Sequence, residues 1–179
     1  MMRNPGARAT VLALLMLVGW PAGSQDQGPS EYQVKAAFLY NFIKFVEWPV
    51  FPGRQTVALC VLGNDPFDGE LARAVDGKNL DGRPLTIRRI SDAKAAQSCH
   101  VLFVSGSEAG RASEIVKIVG SWSVLTVSDS EQLWAHGVMI DFLMDGQKVR
   151  FRINRVAAER ASLKISSKLL QLSLVPVDK

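Results

Sequence analysis

The chain contains two histidines, and histidine is the side chain that most often serves as a general base. His100 follows Cys99 at the predicted start of a strand, opposite the end of a parallel sheet where ligands bind, so we interpret it as structural. His136 precedes Gly137 after a short predicted helix, where an imidazole acts as a C-terminal cation. The sequence holds no G-x-S-x-G nucleophile motif and no His/Cys/Asp cluster with zinc spacing. We therefore predict no enzymatic activity, no metal and no cofactor.

Short polar loops follow three of the predicted strands and suggest an alternative function. These loops are residues 63–65, 105–107 and 128–130. The carboxyl ends of parallel strands meet at one edge of an open α/β sheet, where ligands commonly bind. No dinucleotide-binding or P-loop motif is present, and small polar residues also serve turns and caps. The alternative prediction is a periplasmic small-molecule-binding module whose site includes Asn64, Asp65, Ser107 and Asp129.

A predicted β-hairpin near the C-terminus offers a different kind of surface. Residues 148–153 alternate between polar and apolar, so every second side chain from Val149 onward should face the core. The outward side chains are Arg150, Arg152 and Asn154, and Arg155 and Arg160 extend the same face. Arginine is enriched at protein interfaces, but a solvated strand face has the same pattern.

The N-terminus has the pattern of a secretory signal peptide. Arg3 and Arg8 precede an apolar run over residues 9–20, and small residues follow at 21–24. This run is shorter than the roughly 20 residues that span a bilayer, and an uncleaved anchor is the alternative. We predict a signal peptide over residues 1–24 with cleavage near residues 23–24, a polar leader over 25–30, one domain over 31–179 and a periplasmic location.

Two further features follow from export and composition. Cys60 and Cys99 are the only cysteines, both predicted at strand ends, and cysteines of exported proteins usually pair. Two buried free thiols are the alternative. The whole chain has 21 basic and 17 acidic residues, and removing Arg3 and Arg8 leaves 19 against 17, so no concentrated basic charge predicts nucleic-acid binding.

The periodicity of the chain predicts alternating strands and helices. Helical spacing covers 31–47 after the cap Ser30, and a helix opened by Pro66 follows the first strand. Ser105 with Glu108 and Ser128 with Glu131 resemble capping boxes. Strands are predicted at 56–62, 83–90, 100–104 and 123–127, a hairpin at 138–143 and 148–153, a helix capped by Asn154, and a last helix reaching residue 174. The fold class is α/β: a single domain with a mixed, mostly parallel sheet, helices on both faces and a C-terminal β-hairpin.

Several blocks of the sequence, in order, resemble the YfiR family of periplasmic proteins. The opening block is Tyr32-Gln33-Val34-Lys35-Ala36-Ala37-Phe38-Leu39-Tyr40-Asn41-Phe42 followed by Trp48-Pro49. Later blocks are residues 60–67, 99–104, 125–129, 137–142, 151–154 and 163–170. The resemblance covers about residues 31–172.

The resemblance implies a regulatory binding protein. Named members of the family are soluble periplasmic repressors that contact the periplasmic domain of a membrane-bound diguanylate cyclase, which lowers cyclic di-GMP and biofilm formation. An outer-membrane lipoprotein can sequester the repressor. The family also implies a homodimer and a disulfide between the cysteines that match Cys60 and Cys99.

The sequence departs from the family pattern at the hairpin. Arg152 stands where members often carry Glu, and Asp141 stands where some members have a cysteine of a second pair, so no redox control through that pair is expected. We predict that the partner-contact face includes Ile140, Arg152, Asn154 and Arg155.

Overall fold

The computed structural model describes residues 28–49 and 55–174. Its helices are α1 (Glu31–Phe45), α2 (Glu70–Val75), α3 (Ala112–Val119), α4 (Glu131–Ala135), α5 (Arg155–Arg160) and α6 (Ser167–Leu172), with 3-10 helices at Ala93–Ser98 and Gly106–Arg111. Its strands are β1 (Val46–Glu47), β2 (Val57–Leu62), β3 (Asn79–Leu80), β4 (Arg83–Ile90), β5 (Val101–Val104), β6 (Leu125–Ser128), β7 (Ile140–Asp145), β8 (Lys148–Ile153) and β9 (Lys164–Ile165). The predicted signal peptide and residues 25–27 of the predicted polar leader lie outside the described residues.

The main sheet has the strand order β3-β4-β2-β5-β6-β7-β8. The five central strands run parallel, and β3 and β8 pair antiparallel at the two ends. A separate two-stranded pairing joins β1 to β9. The predicted α/β class, the mostly parallel sheet and the C-terminal hairpin are therefore confirmed.

The strands β2, β5 and β6 are buried on both faces because helices cover each face of the sheet there. Leu59 and Val61 of β2 point into one core, with side chains of α1, α5 and α6. Cys60 and Leu62 point into a second core, with the 3-10 helix at 93–98, α3 and α4. A strand that is buried on both faces has apolar residues at consecutive positions, which is why β2 shows no alternation of polar and apolar residues in the sequence.

Helix α1 begins where the sequence predicts and ends two residues early. The Ser30 hydroxyl accepts a hydrogen bond from the Gln33 backbone, and the Gln33 side chain accepts one from the Ser30 backbone, so both halves of a capping box are present. Val46 and Glu47 leave the helix because they pair with β9 from the far end of the chain, which no local pattern reveals.

The α2 prediction was wrong at its start, since the helix begins at Glu70 and not at Pro66. The Asp65 carboxylate accepts a hydrogen bond from the Phe67 backbone at 2.9 Å and forms a turn instead. Asp68 (φ 46°) and Gly69 (φ 82°) then lie in the left-handed region, which a helix cannot pass through.

The two predicted serine capping boxes also differ from the structure. The Ser105 hydroxyl accepts from the Ser107 backbone, and this cap opens the 3-10 helix at Gly106–Arg111 before α3. Ser128 is the last residue of β6, and its hydroxyl donates to the Val104 carbonyl at 2.9 Å. Ser130 stands at the N-cap of α4. Asn154 caps α5 as predicted, accepting from the Ala157 backbone.

Candidate functional site

The first candidate location is the crevice at the carboxyl ends of β2 and β5. The chain leaves β2 for β4 on one side of the sheet, whereas β5, β6 and β7 follow one another on the other side. Such a reversal of strand order is where open α/β sheets bind ligands. Two of the four residues predicted for a ligand site, Asn64 and Ser107, lie together here.

Local contacts already fill this crevice. The Asn64 backbone N–H donates to the Ser107 hydroxyl at 3.0 Å. Gly63 has φ +86°, and a Cβ there would lie 2.6 Å from the Ser107 hydroxyl oxygen and 2.7 Å from Cγ of Glu108. The loops after β2 and β5 therefore pack directly on each other, and a ligand would have to displace these contacts.

The two predicted aspartates have partners of their own. Asp65 accepts hydrogen bonds from the Arg89 guanidinium at 2.7 and 2.8 Å, besides the backbone of Phe67. Asp129 accepts a hydrogen bond from the Tyr32 hydroxyl at 3.0 Å and one from Lys35 Nζ at 2.6 Å. Each of the two carboxylates therefore has a basic partner in this structure, Arg89 for Asp65 and Lys35 for Asp129.

Lys35 is a buried cation that sequence reasoning missed. Its exposed fraction is 3%, and Nζ contacts the carboxylates of Asp129 and Glu31 and lies 4.5 Å from the Tyr32 ring centroid. Burial opposes its charge, but hydrogen bonds to Asp129 and Glu31 outweigh burial and raise the pKa of Lys35. Burial and the Asp129 charge raise the pKa of Tyr32. The first turns of α1 are therefore clamped to the loop after β6 by charge.

The predicted contact residues on the hairpin occupy different environments. The Ile140 side chain is fully buried (0%), so it offers no surface in this structure. Asn154 Oδ1 accepts the hydrogen bond from the Ala157 backbone that caps α5. Arg155 is 41% exposed, with a guanidinium nitrogen 3.8 Å from Glu159. Partner contact by this face stays a prediction. Ile140 cannot contribute a surface to it in this structure, because its side chain is buried.

Arg152 bridges two carboxylates instead of projecting into solvent. Its guanidinium contacts Asp141 Oδ2 at 2.8 and 3.0 Å, contacts Glu131 Oε2, and lies with Cζ 4.3 Å from the Trp134 ring centroid. Asp141 and Arg152 stand opposite each other in the hairpin register. A buried acid therefore faces an arginine across the hairpin.

Asp141 is the most perturbed acid described. Asp141 is 1% exposed, and its Oδ1 has no hydrogen-bond partner among the described residues. Burial raises its pKa from 3.8 to about 6, against the lowering effect of Arg152. The hairpin register set by the turn at Gly146 is the signal that would have placed Asp141 against Arg152 from sequence.

The predicted disulfide between Cys60 and Cys99 is present, with a Cα–Cα distance of 6.0 Å. It joins β2 to the residue that ends the 3-10 helix before β5, within the second core. The predicted position of Cys60 was wrong, since it lies inside β2 and not at its end. Its inward position follows from the strand alternation that also buries Leu62.

The two histidines lie in different environments. His100 is 1% exposed, and its Nδ1 accepts a hydrogen bond from the Ala58 backbone at 3.2 Å. Its carbonyl accepts from Trp48 Nε1, also at 3.2 Å. His136 is the C-cap of α4, where the sequence places it. Across residues 28–49 and 55–174, no group of three or more His, Cys, Asp or Glu side chains is arranged to hold a metal ion.

Comparison with known proteins gives three results. No curated protein matches the chain. The crystal structure of a conserved domain protein from Vibrio cholerae O1 biovar El Tor superimposes with a TM-score of 0.58 at 10% identity, over 81% of this chain and 60% of that chain. This chain therefore spans about 60% of the length of the Vibrio protein, and the likeness shows the fold alone.

A family model supplies the assignment. The match runs over residues 32–174 and so includes nearly every described element. None of the helices in the described part of the chain is both long and apolar enough to cross a membrane. The resemblance seen in the sequence is confirmed: the chain belongs to the YfiR/HmsC-like family, a regulatory family of periplasmic proteins in cyclic di-GMP signalling.

Proposed function

We propose that this protein is a periplasmic regulatory binding protein that inhibits a membrane-bound diguanylate cyclase by contact with its periplasmic domain. The observation that carries the proposal is the family match over residues 32–174. Inhibition lowers cyclic di-GMP and, with it, biofilm formation. In this proposal the protein acts by binding a partner and catalyses no reaction. The crevice where an α/β protein would bind a substrate is filled by its own loops.

The contact surface that we favour is the end of the sheet formed by β8 and the start of α5. Arg150 and Arg155 are exposed there, and their ion pairs are long, at 3.7 Å to Asp145 and 3.8 Å to Glu159. An exposed pair of this length contributes about 0–1 kcal/mol, so the Arg150 guanidinium can exchange Asp145 for a partner carboxylate at little cost. Arginine is also among the residues that dominate interface energetics.

Cellular cyclic di-GMP tests the regulatory role. A strain lacking the gene should contain more cyclic di-GMP than its parent, and the wild-type gene should restore the lower level. An unchanged level in the deletion strain, under conditions where the protein is made, would refute repression of a cyclase.

A matched pair of variants tests the contact surface. Arg155→Glu should fail to restore the lower level, because it reverses charge at the favoured face. Arg83→Glu is the control, since Arg83 also holds an exposed acid, Asp81, at 3.8 Å but lies at the opposite edge of the sheet. Equal complementation by both variants would exclude Arg155 from the contact.

The remaining parts of the proposal concern export and assembly. The mass of the protein recovered from the periplasm should correspond to cleavage near residues 23–24. Light scattering on the purified protein should give the mass of a homodimer. An outer-membrane lipoprotein that sequesters the repressor should raise cyclic di-GMP when it is overproduced, and only in cells that contain this protein.

A further inference from the structure

A cavity of about 280 Å³ lies where the carboxyl-terminal ends of α3 and α4 meet α5. Its polar lining consists of Lys117, His136, Arg160 and Asn154, with Ser121 at its border. Val116 and Ala157 form an apolar wall of the cavity. It lies away from the crevice at the carboxyl ends of β2 and β5, and none of its residues belongs to the ligand set predicted from the loops.

The basic side chains of this cavity have no acid of their own among the described residues. Among the described residues, no carboxylate lies within 4.0 Å of Lys117, His136 or Arg160. Glu114, one helical turn before Lys117, is held by Arg111 at 3.4 Å. Glu159, next to Arg160, lies 3.8 Å from an Arg155 guanidinium nitrogen. The acids that would neutralise this cluster therefore serve other arginines.

The polar side chains of the cavity offer mainly hydrogen-bond donors. Asn154 accepts the Ala157 backbone N–H at 2.9 Å through Oδ1, so its Nδ2 is the end that can serve a ligand. An ammonium and a guanidinium have no acceptor atoms. A ligand that satisfies these groups must carry several acceptor oxygens and negative charge.

Helix dipoles account for only part of this arrangement. Lys117 and Arg160 are in the last turns of α3 and α5, where a cation interacts favourably with the helix. Each helix C-terminus carries about half a negative charge at most, so the ends of α3, α4 and α5 together contribute about 1.5 negative charges. Lys117 and Arg160 line the cavity with two full positive charges, which exceed this sum and leave a positive potential for an anion.

We propose that this cavity binds the oxyanion of a small phosphate monoester. Lys117 and Arg160 would contact the phosphate oxygens with Asn154 Nδ2, and His136 would donate through its imidazole N–H. The organic part would pack against Val116 and Ala157. Charge-assisted hydrogen bonds of this kind are the strong ones, and the guanidinium geometry suits phosphate. This site does not depend on the regulatory contact and is tested without any partner protein.

Isothermal titration calorimetry of the purified protein at constant ionic strength gives the first test. Inorganic phosphate and glycerol 3-phosphate are the soluble probes, and glycerol is the uncharged control. We expect saturable binding at one site, with glycerol 3-phosphate tighter than phosphate because of the apolar wall. Absence of saturable binding by both phosphates at up to about 10 mM, the range of a weak dissociation constant, would overturn the proposal.

Variants separate a built site from general charge attraction. Asn154→Asp keeps a capping oxygen for α5 but replaces the donor by a carboxylate oxygen, so affinity should fall at least tenfold while the melting temperature stays the same. Lys117→Ala should weaken binding about tenfold and Lys117→Arg should restore it. Lys78→Ala is the control, since Lys78 is an exposed lysine outside this cavity. Equal losses in Lys117→Ala and Lys78→Ala would contradict the site.

Vesicles distinguish a soluble ester from a lipid headgroup. Vesicles of phosphatidylglycerol should bind no better than vesicles of phosphatidylcholine if the ligand is soluble. Binding that occurs only on phosphatidylglycerol vesicles, and that Asn154→Asp removes, would overturn the assignment to a soluble phosphate monoester.

Discussion

Replacing Asp141 by Asn should change how the stability of the protein depends on pH. Asp141 is 1% exposed and lies against Arg152, with the acids Glu131 and Asp129 also raising its pKa. Burial is the largest cause of the raised value of about 6. Asn retains the shape of the side chain and cannot ionise, so it represents the protonated state at every pH.

The sign follows from proton binding. The folded state holds the Asp141 proton up to about pH 6, whereas the unfolded chain releases it near 3.8. Between these values the folded state binds more protons, so the free energy of unfolding falls as pH rises. The interval from 3.8 to about 6, at 1.36 kcal/mol per pH unit, gives about 3 kcal/mol. Asp141→Asn should lack this loss.

Urea unfolding followed by circular dichroism at pH 4, 5, 6 and 7 measures the difference. The difference in the free energy of unfolding between Asp141→Asn and wild type should shift in favour of Asp141→Asn by up to about 3 kcal/mol from pH 4 to pH 7. This shift is expected whatever the difference between the two proteins is at pH 4. Asp145→Asn is the control, because Asp145 is on the same strand with a 64% exposed side chain. If the wild-type and Asp141→Asn curves run parallel, the account of Asp141 as a buried, proton-binding acid is wrong.

Three further perturbations, two substitutions and the reduction of the disulfide, test the packing around the candidate sites. Gly63→Ala should lower the free energy of unfolding by about 2–3 kcal/mol, since its Cβ meets a serine oxygen at 2.6 Å in addition to the positive φ. Gly69→Ala, with a similar φ and nothing within 4 Å, should cost only about 1 kcal/mol, and equal losses would refute the close packing of the loops. Reducing the Cys60–Cys99 bridge, which spans a sequence separation of 39, should cost about 4 kcal/mol in chain entropy, and two thiols alkylated without reductant would exclude the bridge. Lys35→Met should destabilise by about 3–5 kcal/mol by stranding a buried carboxylate, and an unchanged urea midpoint would refute the clamp on α1.

The structure also explains why Arg152 is a poor choice for testing partner contact. Arg152→Glu would place a third carboxylate beside Asp141 and Glu131, and Trp134 would lose the cation over its ring. Such a variant should lose stability whether or not the face contacts a partner. Arg155 gives a clearer result, because its side chain is 41% exposed and that of Arg152 only 19%.

Local patterns in the sequence determined most of the secondary structure. The hairpin follows from two apolar runs around Asp145-Gly146, and β4 begins and ends at the predicted residues. The caps at Ser30 and Asn154 are likewise local, because each side chain bonds to a backbone group three residues away. The mixed α/β fold follows from the order of these elements, since strands alternating with helices require a largely parallel sheet.

Only the tertiary structure decided which polar groups are buried together. Lys35 and Asp129 are 94 residues apart, and nothing near Lys35 in the sequence shows that α1 lies over the loop after β6. Asp141 looks like a solvated strand residue until α4 covers that face with Trp134 and Glu131. Periodicity records which face of an element is apolar, whereas burial of a charge depends on what packs there. The sequence by itself therefore determined the elements and the family, and three-dimensional packing determined the charged clusters and the cavity between α3, α4 and α5.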